Sequence, residues 1–284
     1  MDKPTSRSIS SFQTRSRPTA DWVIPGLLKR RNTLFVLGEP KRAVKSWLML
    51  NLAWDLALGK PVWGIVNSKT GKYVFVPERP MKVLYFTQED TEDDLHDRVE
   101  TLIKGGRQWT DNLWYVSKNL NLRFEGAEGV NAIKSAIDIG APFDLIIFDT
   151  FRRMHSKSEN DSDIIAAIYR IVDNIQQTYN CAIAFVHHIV KPSNDPNSLF
   201  DPASPHAGRG SGDIFGGADS FINCVPQANR NGNSSRQVTL HFENKRSRPL
   251  PPTRLKMDFD TGIISFEGFG DPRRAASSGE TPHL

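Results

Sequence analysis

Four apolar runs of this chain each end in residues that could do chemistry. Residues 32–38 end at Gly38, 82–88 lead into Glu89-Asp90, 144–148 lead into Asp149, and 181–186 lead into His187-His188. After Gly38 come Glu39, Pro40, Lys41, Arg42, Ala43 and Val44, and then Lys45-Ser46-Trp47 opens a long apolar stretch. A buried strand, a short loop and a helix beginning on Lys-Ser is the layout of a phosphate-binding loop. There, backbone N–H groups and a helix N-terminus hold a polyphosphate. Gly38 through Trp47 would cradle a nucleotide, Lys45 would reach its β- and γ-phosphates, and the Ser46 hydroxyl would hold Mg2+. The spelling is irregular. Six residues separate Gly38 from Lys45 where the usual pattern has five, and Val44 stands where a second glycine belongs. The extra residue either bulges outward and leaves the nest of amides intact, or it spoils that nest. An ordinary strand–helix unit with a Lys-Ser near the helix start is the competing reading.

Such residues need a scaffold, and the pattern along the chain supplies one. Strand 32–38 is followed by a helix over about 45–58, apolar on nearly every face and so packed deeply against a sheet. Residues 60–80 read as a long excursion that could fold as a hairpin, and 82–88 as the next strand. Thr91 with Asp94 forms a capping box for a helix to about Lys104. A short strand at 113–117 and a helix at 130–139 precede Asp144-Leu-Ile-Ile-Phe-Asp149, a run typical of central parallel strands. Ile164, Ile165, Ile168, Ile171, Val172 and Ile175 recur at helical spacing across 161–179, and 181–188 is another buried strand. Beyond a polar loop at 191–212 come strands at 220–225, 238–243, 255–260 and 263–267; Asp260-Thr-Gly262 joins the last two as a hairpin. The expected class is α/β: a mostly parallel sheet flanked by helices, with antiparallel strands at the C-terminal end. Ligands bind such sheets at the carboxyl ends of the strands, where the four chemical groups fall.

Composition limits the alternatives. At 284 residues the chain can hold one large domain, and its 38% hydrophobic and 24% charged content fits a globular protein. No apolar run approaches the roughly 20 residues needed to span a bilayer, and the N-terminus lacks a signal-like apolar core, so no membrane and a cytoplasmic location are expected. Cys181 and Cys224 lie in apolar, strand-like runs and read as core residues rather than a disulfide or zinc pair. The net charge of +4 is concentrated at the start: residues 1–31 carry seven basic side chains against two acidic ones. Residues 1–20 and 271–284 are expected to be disordered tails around a domain at 21–270.

At this level the chain resembles the RecA-like ATPases, and among them the RepA-type hexameric replicative helicases. Asp21-Trp22-Val-Ile-Pro-Gly resembles that family's lead-in, and Gly38 to Trp47 its Walker A loop. Val83-Leu-Tyr-Phe-Thr-Gln-Glu89 is similar to the strand carrying the catalytic glutamate, and Ile146-Ile-Phe-Asp149 to Walker B. Glu159-Asn160-Asp161 resembles the acidic turn that follows, Val186-His187-His188 the sensor strand, and Arg209 to Asp219 the stretch after a DNA-facing loop. The match runs over roughly residues 21–268 in the family's order.

The resemblance implies roles. Glu89 would be the general base for the attacking water, Lys45 would stabilise phosphoryl charge, and Asp149 with Ser46 would hold Mg2+. His188 would sense the γ-phosphate; a zinc reading of the His pair fails because the carboxylate and Cys residues are not spaced for it. Two pore loops, by position 152–161 and 191–211, would contact single-stranded DNA through Arg152, Arg153, Lys157, Lys191 and Arg209. Arg246, helped by Lys245, stands where such helicases present an arginine finger to a neighbour, although Asn244 and Arg248 replace the family's Lys and Gly. The expected protein is an ATP- and Mg2+-dependent motor, a ring-forming homo-oligomer that the resemblance makes a hexamer, acting on DNA as a helicase or helicase-like replication protein of a plasmid, phage or similar element. A DNA-binding regulator or recombination factor that does not unwind, and a degenerate non-hydrolysing nucleotide binder, are the alternatives.

Overall fold

Thr33–Gly38 is a strand whose residues are all buried, and their alternation divides the interior of the molecule in two. Leu34 and Val36 point to one side of the sheet, Phe35 and Leu37 to the other. The computed structural model describes residues 8–12, 20–40, 43–118, 122–190, 201–204, 207–208, 212–227, 235–244 and 250–270. Its strands are β1 (Trp22–Ile24), β2 (Leu28–Lys29), β3 (Thr33–Gly38), β4 (Val83–Thr87), β5 (Leu113–Val116), β6 (Leu145–Asp149), β7 (Ala182–His188), β8 (Ser220–Pro226), β9 (Ser235–Asn244), β10 (Thr253–Asp258) and β11 (Ile264–Phe269). Its helices are α1 (Lys45–Ala57), α2 (Glu92–Lys104), α3 (Gly126–Gly140), α4 (Ser162–Tyr179) and the short α5 (Asp213–Gly217).

Nine strands form one sheet in the order β11-β10-β9-β8-β3-β7-β6-β4-β5. The six from β8 to β5 are parallel, and β9, β10 and β11 extend the sheet antiparallel, as the sequence pattern predicts. The four strands carrying chemical groups, β3, β7, β6 and β4, are consecutive neighbours. One face of the sheet is covered by α1, whose Leu48, Met49, Leu52 and Leu56 are buried against Val36, Val83, Ile147 and Val186. The other is covered by α3 and α4 through Ile133, Ile137, Ile165, Ile168 and Val172, over an aromatic layer of Phe35, Phe86, Phe148 and Phe185. Cys224 and Cys181 are buried free thiols on opposite faces, their pKa values pushed up to about 12 by burial.

Local signals act as expected. Thr91 Oγ1 accepts from the Asp94 amide while Asp94 accepts from the Thr91 amide, closing the capping box of α2. Asp161 caps α4 by accepting from the Asp163 and Ile164 amides. Gly262 turns the β10–β11 hairpin at φ 67°, where a Cβ would also lie 2.6 Å from the Trp47 ring.

Several expectations need correction. α3 starts at Gly126, about a turn before the predicted 130, because its first turn is polar and glycine-rich and lacks a periodic apolar signal. β9 is longer than predicted at both ends, since pairing with β10 carries Ser235–Gln237 into the ladder and pairing with β8 carries Asn244. The predicted hairpin in 60–80 is a 3-10 turn, Val62–Gly64, plus a single antiparallel bridge between Val66 and Tyr73. The β1–β2 hairpin, the 3-10 turn Phe151–Met154 and α5 were not foreseen; each is too short for periodicity to register. A 3-10 turn at Ile9–Phe12 lies within the predicted tail 1–20; the rest of that segment apart from Ser8 and Ala20, and all of 271–284, fall outside the described residues.

A candidate nucleotide site at the carboxyl edge of the sheet

Gly38 closes β3 where a side chain has no room: a Cβ there would sit 2.6 Å from Ala43 Cβ and 2.9 Å from the Cys224 carbonyl oxygen. The chain then loops back to start α1. Val44, the residue preceding α1, has φ 44° and ψ 30°. This is the left-handed conformation that glycine adopts freely and that a β-branched residue enters only under strain. The loop therefore takes a glycine-like shape at the position where the usual motif spells glycine. Strain of this kind persists only where surrounding structure over-determines it, and it clusters at ligand sites.

Lys45 follows at the first position of α1, 6% exposed. Its Nζ donates to the Gly38 and Glu39 carbonyls, each at 2.9 Å. Burial lowers its pKa from the ordinary lysine value, with Asp149, Glu89 and Glu39 among the groups pulling it back. The ammonium is thus aimed into the loop, against its carbonyls.

Asp149 ends β6 with 1% exposure. Its Oδ2 accepts from the Tyr85 hydroxyl at 2.7 Å, while its buried Oδ1 makes no hydrogen bond. Burial raises its pKa, against stabilising contacts from Tyr85 and from the Ser46 hydroxyl. A buried carboxylate oxygen without a donor, beside a serine hydroxyl, is a pair of hard oxygens suited to a divalent cation. The residues fit Mg2+, which when bound would neutralise charge on phosphate oxygens; Ser46 and Asp149 would hold it.

Glu89 lies just past β4, half-buried. His188 Nε2 stands 3.8 Å from its Oε1, and Thr150 Oγ1 donates to that oxygen at 3.4 Å. The His188 imidazole beside it is the main reason that its carboxyl is held below the usual glutamate range, against burial. Glu89 is therefore kept in the ionised form that a base requires. Lys45, Ser46, Glu89, Thr150 and His188 line one cleft with Val44, Trp47, Arg98, Val186, Arg236 and Phe259.

Of the predicted site residues, Ala43, Val44, Lys45, Ser46, Glu89, Asp149 and His188 meet here, and Trp47 forms part of the wall. Gly38 and Glu39 contribute the carbonyls that hold Lys45, and Pro40 is exposed. Arg152, Arg153 and Lys157 are exposed on the segment after β6; Arg153 is near enough to help lower the Glu89 pKa. Lys41, Arg42, Lys191, Arg209, Lys245, Arg246 and Arg248 lie outside the described residues.

Sequence reasoning missed five contributors. Tyr85 was read as a core strand residue, but its hydroxyl holds Asp149. Arg98 stacks over Trp47 at 5.3 Å from the ring centroid and pairs with Asp90 at 2.8 Å. Arg236 stacks over Phe259, also at 5.3 Å, and Thr150 bonds to Glu89. Arg236 and Phe259 come from the antiparallel end of the sheet, and no local signal points to them.

The parallel sheet, the loop into α1 and the carboxylates at adjacent strand ends define a RecA-like P-loop ATPase domain. The family profile described as "AAA domain" matches residues 3–194, and the chain belongs to that family. Among solved structures, the chain is similar to the "ATPase Domain of G40P", at a TM-score of 0.57 and 11% identity, over 84% of this chain and 85% of that one. At that identity the likeness is one of fold. Among the described residues, no helix is long and apolar enough to cross a membrane.

Proposed function

We propose that this chain is an ATP-hydrolysing motor that assembles as a ring, a hexamer by resemblance, and works on single-stranded DNA as a helicase or helicase-like replication protein. The observation that carries the reading is the convergence of Lys45, Asp149, Glu89 and His188 from four adjacent parallel strands. Lys45 offers positive charge to the transferring phosphoryl group, and Glu89 takes a proton from the attacking water. His188 keeps Glu89 ionised and stands where a change in the phosphates would be felt. Two guanidinium–aromatic pairs, Arg98 with Trp47 and Arg236 with Phe259, offer flat faces for a base. Arg152, Arg153 and Lys157, exposed directly after Asp149, are proposed with Lys191 and Arg209 as contacts to DNA phosphates.

Assembly follows from Arg246, proposed as the finger. The described end of β9, Asn244, pairs with Ser220, whereas Gly38 pairs with Cys224 at the far end of β8. The described end of β9 thus lies at the edge of the sheet opposite the phosphate loop. ATP turnover with and without single-stranded DNA, alongside a solution mass, tests the reading. DNA should stimulate turnover and ATP should promote an oligomer. Mixed Arg246→Ala and Lys45→Ala subunits should recover activity that neither has alone. A monomer that hydrolyses ATP indifferently to DNA would sink the motor.

A further inference from the structure

Adjacent residues of a strand point to opposite faces of the sheet, and the two histidines that end β7 use this. His188 faces the cleft and Glu89. His187 is fully buried on the other side, with its ring centroid 5.4 Å from that of Phe151 and 6.2 Å from that of Phe35. Its Nδ1 lies 3.9 Å from Glu159 Oε1, and His155 Nε2 lies 3.5 Å from the same oxygen; none of the three side chains is more than 5% exposed. His155 Nδ1 is 3.2 Å from the Lys157 carbonyl, which can only accept, so this nitrogen donates. His155 Nε2 is therefore the ring nitrogen that faces the carboxylate.

A carboxylate this far from water needs charged or hydrogen-bonding partners to persist. Burial raises the proton affinity of Glu159, but His155, His187 and Arg152 more than offset this, and its pKa falls below the ordinary value. Among the described residues no group of three His, Cys, Asp or Glu side chains is arranged for a metal ion, so the trio is read as an ionic clamp. Three other polar ties of this segment run to Glu125, to Phe124 and within the segment itself. The Ser156 amide donates to Glu125, the Phe124 amide to the Met154 carbonyl, and Arg152 to the His155 carbonyl.

We propose that Glu159 is a positioning residue: by clamping the 155–161 turn to His187 it holds the end of β7 in place, and so sets where His188 stands against Glu89. The strand is the lever. One of its last two side chains is gripped by the turn and the other faces the base. The turn is the segment that carries Lys157 and follows Arg152 and Arg153, so anything that shifts it is felt at the nucleotide. The proposal rests on the reading of Glu89 and His188 as catalytic residues.

Glu159→Gln keeps the side chain's size and removes its charge. ATP kcat should fall about ten- to a hundredfold, the loss that a displacement of ~1 Å from a remote change can cause. Affinity for a fluorescent ADP should stay within about twofold, because ground-state binding is untouched. Amide hydrogen exchange should show 155–161 and the end of β7 losing protection together. His187→Phe fills the same space beside Phe35 and Phe151 without meeting the carboxylate, and should reproduce all three results; it decides the matter if Glu159→Gln does not fold. Unchanged kcat in a folded variant, a raised KM with kcat intact, or an opened turn beside a fully protected β7 would each overturn the clamp. The exchange experiment needs no turnover. A wild-type chain that hydrolyses no ATP would therefore sink the catalytic reading, while the clamp stands or falls on exchange.

Discussion

Asp144 and Asp149 bracket β6, five residues apart, both buried, and the fold treats them in opposite ways. At the amino edge, Asp144 Oδ1 accepts from Arg30 and Arg79, at 2.8 and 2.7 Å, and Oδ2 accepts from Arg79 and the Lys82 amide, at 3.0 and 2.8 Å. Burial pushes its pKa up, but these donors outweigh it and hold the carboxyl below its ordinary 3.8. At the carboxyl edge, Asp149 has one donor on Oδ2 and none on Oδ1, and burial holds its pKa above 3.8. One end of the strand is saturated and serves stability. The other is left under-satisfied, beside a strained Val44 and a buried Lys45, and suits a ligand that completes it.

The largest effects should come from the carboxyl edge and appear in chemistry. Lys45→Ala should reduce ATP turnover by at least about a hundredfold, the order seen when one charge-stabilising donor is removed from a transition state. Glu89→Gln should bind nucleotide normally and turn it over comparably slowly, since an amide cannot take the water's proton. Steady-state turnover with a nucleotide titration checks both; wild-type turnover in Glu89→Gln would place the base elsewhere.

The sharper test exchanges the same atom at the two ends. Asp144→Asn leaves Arg79 without its charge partner and Arg30 with Asp21 alone, and should cost about 3 kcal/mol in chemical denaturation, with turnover per folded molecule retained. Asp149→Asn removes a buried charge while its carbonyl can still accept from Tyr85. It should be no less stable than wild type, yet lose turnover about a hundredfold. If both variants lose stability equally, the contrast between the two ends is wrong.

Acid should separate the ends again. A carboxylate whose folded pKa is depressed stabilises the fold above its unfolded pKa, and that contribution fades as pH falls through the folded value. Asp144 therefore adds a stability loss below about pH 4 that Asp144→Asn should remove. Asp149 carries the opposite sign: its raised pKa opposes folding above the folded value, and protonation on acidification relieves that. Denaturation midpoints from pH 7 down to pH 3 read both slopes. The smallest effect is expected at Val44→Gly. Relief of about 1–2 kcal/mol of left-handed strain should roughly offset the apolar burial lost, leaving the melting temperature within a few degrees and turnover within a few-fold.

Much of this site was legible before any coordinates. Gly38, Lys45, Ser46, Glu89, Asp149 and His188 could be picked out because each closes or directly follows a run of apolar residues. A parallel sheet brings all such ends to one edge. The irregular loop could not be judged in that way, because whether Val44 can replace a glycine depends on φ, and spacing does not report φ. Tyr85 was hidden inside an apolar strand, where nothing local separates a packing tyrosine from one whose hydroxyl anchors a carboxylate. His155 and Glu159 looked like loop residues. Arg236 and Phe259 sit 48 and 71 residues beyond His188, the last of the motif residues in their cleft, and on or directly after strands that carry no motif.

The amino-acid sequence by itself determined the alternation of strands and helices, the parallel core with its antiparallel end, and the residue types at each strand end. Those follow from periodicity and from short-range capping and turn chemistry, which act within a few residues. The tertiary structure alone decided the order β3-β7-β6-β4, the pairing of Tyr85 with Asp149, and the Glu159 contacts that join a turn to β7. It also decided that one aspartate of β6 would be saturated and the other left open. These depend on which segments become neighbours across the sheet. Neighbours are chosen by the burial of two complementary faces over the whole domain, a global quantity that no window of sequence contains.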